Sequence, residues 1–168
     1  NAERGKNVYF SSDQVDTIQK LTHVCKASGS MPIATPVTYI AGEACMDGAI
    51  GPSGGIPLDV ALADGYEKFL VILTRPRDYV KENRLPDWTY RSLLARYPRA
   101  AQALVDRPAN YNRTRAELER LESEGKAYVF YPEHMGVANF EDNPAKLEEN
   151  FAAGYEQMQR ELPKVKEF

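Results

Sequence analysis

The spacing of apolar residues along the chain predicts alternating helices and short strands. Runs of apolar and β-favouring residues indicate strands near residues 7–10, 36–46, 69–74 and 127–131. Apolar residues at helical spacing, with start and stop signals around them, indicate helices over residues 13–26, 57–65, 87–107, 114–125 and 143–163. The segment 69–74 is continuously apolar, which is typical of a strand buried on both faces of a sheet.

Capping-box patterns mark the start of two of these helices. Ser11 is followed by Gln14, and Thr114 by Glu117, at the spacing that lets two side chains satisfy the first backbone amides of a helix. Pro98 predicts a break or kink in the helix expected over residues 87–107, because proline lacks a backbone amide hydrogen. The apolar face of the first helix is formed by Val15, Ile18, Leu21 and Cys25.

The last helix has clear boundaries in the sequence. Asn143 and Pro144 form a cap-then-proline start, and Pro163 is expected to end the helix. Between them runs a stripe typical of an amphipathic helix. Its members are Leu147, Phe151, Tyr155, Met158 and Leu162.

The order of these elements places the chain in the α/β class. At 168 residues the chain suits one domain. We expect a small mixed sheet built from the four strand segments, helices flanking that sheet, and a mostly helical C-terminal extension.

Composition narrows the classes of function. The net charge of −3 argues against a surface built for nucleic acid, so no nucleic-acid partner is expected. No apolar stretch is long enough to span a membrane, and no signal-peptide pattern is visible. Cys25 and Cys45 are expected to be buried small hydrophobes, consistent with a reducing cytoplasm. His23 is expected to face solvent, and no metal or organic cofactor is implied.

The tripeptide Asp47-Gly48-Ala49 stands where a predicted hairpin ends. Residues 36–41 turn and return through residues 44–46, so Asp47 comes at the end of a strand and ahead of a glycine-rich loop. A carboxylate so placed is held on a rigid element and can face a cleft. Asp-Gly is also a common turn dipeptide, and at this point both interpretations stay open.

Three blocks of sequence stand out when they are taken in order. They are Ala27-Ser28-Gly29-Ser30-Met31-Pro32 with the helix before it, the hairpin into Asp47-Gly48-Ala49, and the passage from Ile56-Pro57-Leu58 to Leu73-Thr74-Arg75-Pro76. In this order they resemble the C-terminal half of a patatin-like phospholipase. The region from Trp88 to Met158 looks like the helical extension of a bacterial subgroup of that family.

The resemblance divides the chain in two. Residues 1–80 are implied to be the C-terminal part of a patatin-like catalytic domain with an α/β/α fold. Residues 81–168 are implied to be a mostly helical extension packed on the same domain. The protein is then expected to be cytoplasmic, with at most peripheral contact with a membrane.

The resemblance also implies a reaction, the hydrolysis of acyl esters of lipids by a Ser–Asp dyad. Asp47 matches the aspartate of the family's D-G-A or D-G-G motif, so it is implied to be the catalytic carboxylate that activates the serine hydroxyl. Gly48 and Ala49 are implied as its neighbours on the substrate and loop side, with Gly48 allowing the serine loop to approach. The implied partner is a lipid or ester substrate.

The family's other catalytic elements are not visible in this sequence. Its glycine-rich oxyanion loop and its G-x-S-x-G elbow belong to the N-terminal half of the domain, which is expected to precede Asn1. The chain is therefore expected to be the C-terminal portion of an acyl hydrolase, inactive without that missing half. The alternative is a non-catalytic interaction module derived from the same fold, because exposed sheet edges recruit partners.

Other serines offer weaker alternatives. Residues 51–55 form a literal G-x-S-x-G around Ser53, but they follow the end of the predicted strand and favour a loop, so Ser53 is not expected to be a nucleophile. A serine triad can also be drawn from Ser28 or Ser30, Asp47 and His134. No elbow surrounds either of those serines, and the histidine is predicted to be an ordinary loop residue.

A basic segment lies between Val71 and Arg99. It carries seven Lys and Arg residues against three Asp and Glu residues, a net of +4, with four aromatic residues interleaved. Basic residues beside interfacial aromatics suit peripheral contact with an anionic membrane, to which each cation contributes about 1 kcal/mol. A solvated helical face with local ion pairs is the favoured interpretation.

Overall fold

A computed structural model describes all 168 residues, Asn1–Phe168, and combines helices with short strands. The helices are α1 (Ile18–Ser28), α2 (Leu58–Ala63), α3 (Asp87–Leu93), α4 (Pro98–Ser123) and α5 (Pro144–Glu167). The strands are β1 (Thr38–Ile40), β2 (Glu43–Cys45), β3 (Phe69–Ile72) and β4 (Ala127–Phe130). The mixed α/β class is therefore confirmed. None of the helices has both the length and the apolar character that crossing a membrane requires.

The strands form two separate sheets of two strands each. β1 and β2 pair antiparallel as the predicted hairpin, with Thr38 opposite Cys45. Ala41 and Gly42 in its turn both have positive φ, 50° and 82°, as a type I′ turn requires. β3 and β4 pair in parallel. The expected burial of this strand on both faces is wrong, because Leu70 and Ile72 on one face of β3 are exposed.

The prediction of one mixed sheet with four strand segments is wrong in two respects. The strand expected over residues 7–10 is irregular, and no pairing joins the β1–β2 sheet to the β3–β4 sheet. Asn7 and Tyr9 instead use their side chains: Asn7 Nδ2 donates to Ser53 Oγ at 3.1 Å, and the Tyr9 hydroxyl donates to Asp59 Oδ1 at 3.0 Å. The β-favouring residues of this segment are compatible with an extended chain. They form a strand only where a neighbouring strand is available to pair with, and none is.

The chain divides into two compact units, each assembled from two separate stretches. Unit 1 comprises Asn1–Ala61 and Lys81–Arg115, and unit 2 comprises Leu62–Val80 and Ala116–Phe168. Helix α4 supplies residues to both. The resemblance implies a single division of the chain after residue 80, which differs from these interleaved units. That division stays a prediction.

Unit 1 has a core of small and aromatic residues next to β2. Its members are Ala2, Ala44, Met46, Leu94, Tyr97, Ala100 and Ala101. The Ala2 amide donates to the Ala44 carbonyl oxygen at 2.7 Å, which ties the N-terminal turn to β2. Because Met46 belongs to this core, the backbone immediately before Asp47 is held in place by packing.

Helix α1 begins later than predicted. Thr17 caps it, because Thr17 Oγ1 accepts a hydrogen bond from the Lys20 amide at 3.3 Å. Ser11 and Gln14 do interact, with the Ser11 amide donating to Gln14 Oε1 at 3.0 Å, but they close a turn and not a helix. The same pair of residue types can satisfy backbone groups in either setting.

The apolar face predicted for α1 is largely exposed. Ile18 and Leu21 are both exposed, and so is Cys25, so the expected burial of Cys25 is wrong, whereas Cys45 is buried as expected. The buried residue of the helix is Ala27. None of the residues of the unit 1 core comes from α1.

Helix α4 is one continuous helix where two were predicted. The break predicted at Pro98 is confirmed, because α3 ends at Leu93 and Pro98 is the first residue of α4. From there the helix runs for 26 residues past both Pro108 and Thr114. The Thr114 hydroxyl has the carbonyl oxygens of Asn110 and Ser53 as acceptors, at 3.1 and 3.2 Å. It therefore does not cap a new helix, and the boundary predicted from Thr114 is wrong.

Helix α5 starts as predicted and ends later than predicted. Asn143 Oδ1 accepts a hydrogen bond from the Ala145 amide at 3.1 Å, with Pro144 in the first turn. The helix continues through Pro163 to Glu167, so the expected stop at Pro163 is wrong. Proline removes one helical hydrogen bond but keeps a φ compatible with a helix.

The apolar stripe predicted for α5 is exposed along its N-terminal half. Leu147, Phe151 and Tyr155 are all exposed, and the two aromatic rings stack with centroids 6.2 Å apart. The buried residue of the helix is Gln157, whose Nε2 donates to the Tyr131 carbonyl oxygen at 2.8 Å. A polar anchor after β4 therefore fixes α5 within unit 2.

Leu118 tests the core of unit 2, because it is the largest fully buried side chain. We expect Leu118→Ala to lower the free energy of unfolding by about 2–5 kcal/mol, since the substitution leaves a cavity. Leu147→Ala, at an exposed position of the same unit, is the control and should cost about 0.5 kcal/mol or less. Urea denaturation followed by circular dichroism measures both, and equal losses would contradict this core.

Candidate functional site

Asp47 lies where β2 ends and a single 3₁₀ turn, Gly48–Ile50, begins. Its amide donates to the Ser30 carbonyl oxygen at 2.8 Å. Its Oδ1 accepts a hydrogen bond from the Ala49 amide at 2.8 Å, while its Oδ2 makes no hydrogen bond with another residue. The half-buried carboxylate is therefore held in one orientation, with one oxygen able to accept a further hydrogen bond.

Asp47 borders a cavity of about 450 Å³ within unit 1. Gly48 and Ala49 also line it, beside the carboxylate. Much of the remaining lining comes from the N-terminal chain and from α1, with Val8, Tyr9, Phe10, Val24, Ala27 and Ser28. The size is in the range of small-molecule pockets, and the cavity combines an anchored carboxylate with apolar walls.

The structure brings all three predicted site residues to this cavity. Gly48 is exposed and close to α1, since a Cβ added to it would lie 3.9 Å from Ser28 Oγ. Ala49 is held on both sides, because its amide donates to Asp47 Oδ1 and its carbonyl oxygen accepts from Arg107 Nε at 3.0 Å. The catalytic roles implied for these three residues stay predictions.

Ser53 lines the same cavity but occupies a turn, as predicted. It is buried, and its Oγ accepts a hydrogen bond from Asn7 Nδ2 at 3.1 Å. A turn precedes it where a nucleophile elbow needs a strand. The literal G-x-S-x-G match thus lacks the local structure that activates a serine.

The surroundings of Ser28, Ser30 and His134 do not support the alternative serine triad. Ser30 is buried, with its Oγ 2.7 Å from the Lys26 carbonyl oxygen and 2.9 Å from Thr38 Oγ1. Ser28 is exposed at the last residue of α1. His134 is an exposed loop residue, as predicted, and belongs to unit 2. Neither unit by itself contains all the members of that triad.

The side chains that could ligate a metal ion are dispersed. His23 is exposed, as predicted, and its Nε2 lies 2.7 Å from the Tyr39 carbonyl oxygen. No group of three or more His, Cys, Asp and Glu side chains is placed to hold a metal ion.

Sequence analysis missed the helix that holds the loop after Asp47. Three side chains of α4 donate to carbonyl oxygens of this loop: Arg107 to Ala49, Arg113 to Pro52 and Thr114 to Ser53. The loop approaches α4 so closely that a Cβ on Gly54 would lie 2.5 Å from Tyr111 Cα. The glycines of residues 51–55 were the available signal, because glycine permits such an approach of two backbones.

Unit 2 contains a wider groove of about 720 Å³. Charged residues of both signs line it, and the side chains of three of them form hydrogen bonds within the groove. Arg77 donates to both carboxylate oxygens of Glu122, at 2.9 and 2.8 Å, and the Tyr128 hydroxyl donates to Glu161 at 2.9 Å. Burial, reinforced by that hydrogen bond, raises the pKa of Tyr128 to about 12. The Arg77, Glu122 and Glu161 side chains of this groove are therefore already engaged with one another or with Tyr128.

The basic segment between Val71 and Arg99 is shared between the two units. In unit 2, Arg77 forms a salt bridge with Glu122 at 2.8 Å. In unit 1, Trp88 on α3 is exposed, and Arg91 is exposed one turn further along the same helix. Membrane contact by this segment stays a prediction.

One family model matches part of the chain. Residues 97–168 match the model of a family described as a domain of unknown function (DUF6363). The match covers under half of the chain, from just before α4 to the end of α5. No curated protein and no solved structure matches the chain.

Glycine substitutions test the close approach of the loop to α4. Gly54→Ala should lower the free energy of unfolding by about 3 kcal/mol or more, because alanine meets both a φ of 67° and the Tyr111 backbone. Gly42→Ala is the matched control: its φ is 82°, but nothing lies within 4 Å of the added Cβ, so only about 1–2 kcal/mol is expected. Thermal unfolding of both variants measures the difference, and equal costs would contradict the contact.

Proposed function

We propose that residues 1–168 are the portion of a serine-type lipid acyl hydrolase that carries the aspartate of a Ser–Asp dyad, as in patatin-like phospholipases. The observation that supports this most directly is the state of Asp47. One carboxylate oxygen is fixed by the Ala49 amide, and the other is unused at the border of a cavity. A carboxylate held in this way can accept a hydrogen bond from a serine hydroxyl without reorienting.

Asp47 supplies the base of the proposed reaction. Its Oδ2 takes the hydroxyl proton while the serine oxygen bonds to the ester carbonyl carbon, which becomes a tetrahedral oxyanion. The proton then passes to the leaving alcohol oxygen as its bond to carbon breaks, and an acyl-serine ester remains. Water repeats the two steps and releases the fatty acid, which leaves Asp47 as a carboxylate again.

The walls of the cavity favour an acyl substrate. Val8, Tyr9 and Phe10 lie along the cavity and are each partly exposed, so their apolar surface is open to a ligand. A hydrocarbon chain gains about 0.8 kcal/mol for each methylene that such a surface buries. The proposed substrate is therefore a lipid or a simple carboxylic ester.

The proposal places the nucleophile outside residues 1–168. Ser53 lies in a turn, and the hydroxyl of Ser30 is engaged with Lys26 and Thr38. By the resemblance, the serine elbow and the oxyanion donors belong to the N-terminal half of the domain, which would complete the site at Asp47. Residues 1–168 alone are then inactive.

Peripheral contact with an anionic membrane fits the same function. Trp88 and Arg91 are both exposed and lie three residues apart on α3, which places them on one side of the helix. An interfacial aromatic next to a cation is a common arrangement at lipid surfaces. This contact would bring the cavity of unit 1 near its substrate.

Asp47→Asn tests the proposed function in the natural gene product that contains residues 1–168. Asparagine keeps an oxygen for the Ala49 amide but is not a base, so ester hydrolysis should fall by about 10²-fold or more while the fold is retained. Hydrolysis of a chromogenic fatty-acid ester and of phospholipid vesicles measures the change.

Asp64→Asn is the matched control, because Asp64 is an exposed carboxylate in the turn after α2. It should leave hydrolysis unchanged. Full activity in Asp47→Asn, or no hydrolysis by the unmodified product, would argue against the proposal.

A non-catalytic interaction module is the second candidate, and β3 favours it. β3 pairs with β4 along one edge only, and its Leu70 and Ile72 side chains are 52% and 61% exposed. Parallel strands are normally covered on both faces. A strand with an open edge and exposed apolar residues is a template for pairing with another strand.

Ile72→Lys tests that second function through self-association. If β3 pairs with a second copy of the chain, sedimentation velocity of the unmodified chain should show concentration-dependent dimers, and the lysine should remove them because it blunts the edge. Ile18→Lys, at an exposed apolar position on α1, should leave the dimers intact. A chain that stays monomeric at every concentration would contradict self-pairing through β3.

A further inference from the structure

The loop after Asp47 is held from one side by the part of α4 that belongs to unit 1. Arg107 Nε donates to the Ala49 carbonyl oxygen at 3.0 Å, and one terminal nitrogen of Arg113 donates to the Pro52 carbonyl oxygen at 3.1 Å. All of these residues belong to unit 1. The helix therefore supplies hydrogen-bond donors to carbonyl groups that no strand or helix would otherwise satisfy.

The spacing of the donors suits one face of a helix. Arg107 and Thr114 are seven residues apart, which is two turns, so both side chains project toward the loop. Tyr111 lies between them, and its backbone is the surface on which Gly54 rests. Side-chain donors at both ends and a backbone contact in the middle fix the position of the loop relative to the helix.

Ala49 transmits this constraint to the carboxylate. Its carbonyl oxygen is bound by Arg107, and its amide is bound by Asp47 Oδ1 at 2.8 Å. If the Arg107 bond were lost, the 3₁₀ turn could rotate, and the amide that orients the carboxylate would move with it. Arg107 thus lies at the start of a chain of two hydrogen bonds that ends at the Asp47 carboxylate.

We propose that Arg107 is a positioning residue for Asp47, and that the part of α4 in unit 1 belongs to the carboxylate site. The effect on hydrolysis rests on the proposed function, whereas the effect on the orientation of the turn does not. Arg107 lies within the residues that match the DUF6363 model. The start of that matched segment therefore contributes to a site whose carboxylate comes from outside the match.

Hydrogen exchange at the Ala49 amide tests the positioning directly on the full 168-residue chain. Arg107→Met keeps the apolar stem of the side chain and removes its donors. It should speed exchange of the Ala49 amide by about fivefold to tenfold, because one hydrogen bond is lost. Arg107→Lys restores a donor and should bring exchange back toward the unmodified rate.

Arg113→Met is the matched control, because Arg113 bonds the same loop at Pro52 and not at Ala49. It should leave exchange of the Ala49 amide unchanged. Unchanged exchange in Arg107→Met, or equal effects of the methionine and lysine variants at position 107, would overturn the positioning role.

Kinetics of the natural gene product separate this inference from the proposed function. Arg107→Met should lower kcat about tenfold with little change in KM, because a displaced base weakens the transition state more than substrate binding. Arg107→Lys should recover part of that loss. If the unmodified product hydrolyses no ester, the proposed function fails, and the exchange measurement alone then decides the positioning role.

Discussion

The hydrogen bond from the Ala49 amide to Asp47 Oδ1 is the interaction on which the candidate site depends. An aspartate at a strand end has rotational freedom about two side-chain bonds, and this bond removes most of it. The same bond starts the 3₁₀ turn that leads the chain away from β2. It therefore sets both the direction of the carboxylate and the path of the loop beside it.

Contacts before and after Asp47 in the chain support that hydrogen bond. The packed residues before Asp47, Ala44 and Met46, belong to the core of unit 1 and fix the strand that delivers it. After Asp47, Arg107 on α4 fixes the carbonyl of the same residue that donates to the carboxylate. A short hairpin and one long helix thus hold an otherwise irregular loop, which is how a binding loop gains rigidity without belonging to a sheet.

Local chemistry made part of this structure predictable. Asn143 with Pro144 marks a helix start, and the turn at Gly42 allows a hairpin, because each depends on backbone groups within a few residues. Two of the failures involve partners distant in sequence. The sequence around Thr114 resembles a helix cap, but its hydroxyl has the carbonyl oxygen of Ser53, 61 residues away, as an acceptor. The strand expected at residues 7–10 has no neighbouring strand to pair with. The position of Asp47 at a cavity was predictable, whereas the contribution of Arg107 was not, since nothing near either residue indicates their connection.

The role of Asp47 in a Ser–Asp dyad is tested most directly by identifying the serine that a fluorophosphonate labels in the natural gene product. The product is treated with the probe, digested, and the modified peptide is located by mass spectrometry. We predict one labelled serine outside residues 1–168, with labelling that is lost in Asp47→Asn. Labelling of Ser53, or labelling that does not depend on Asp47, would contradict the assignment of Asp47 as the carboxylate of a Ser–Asp dyad.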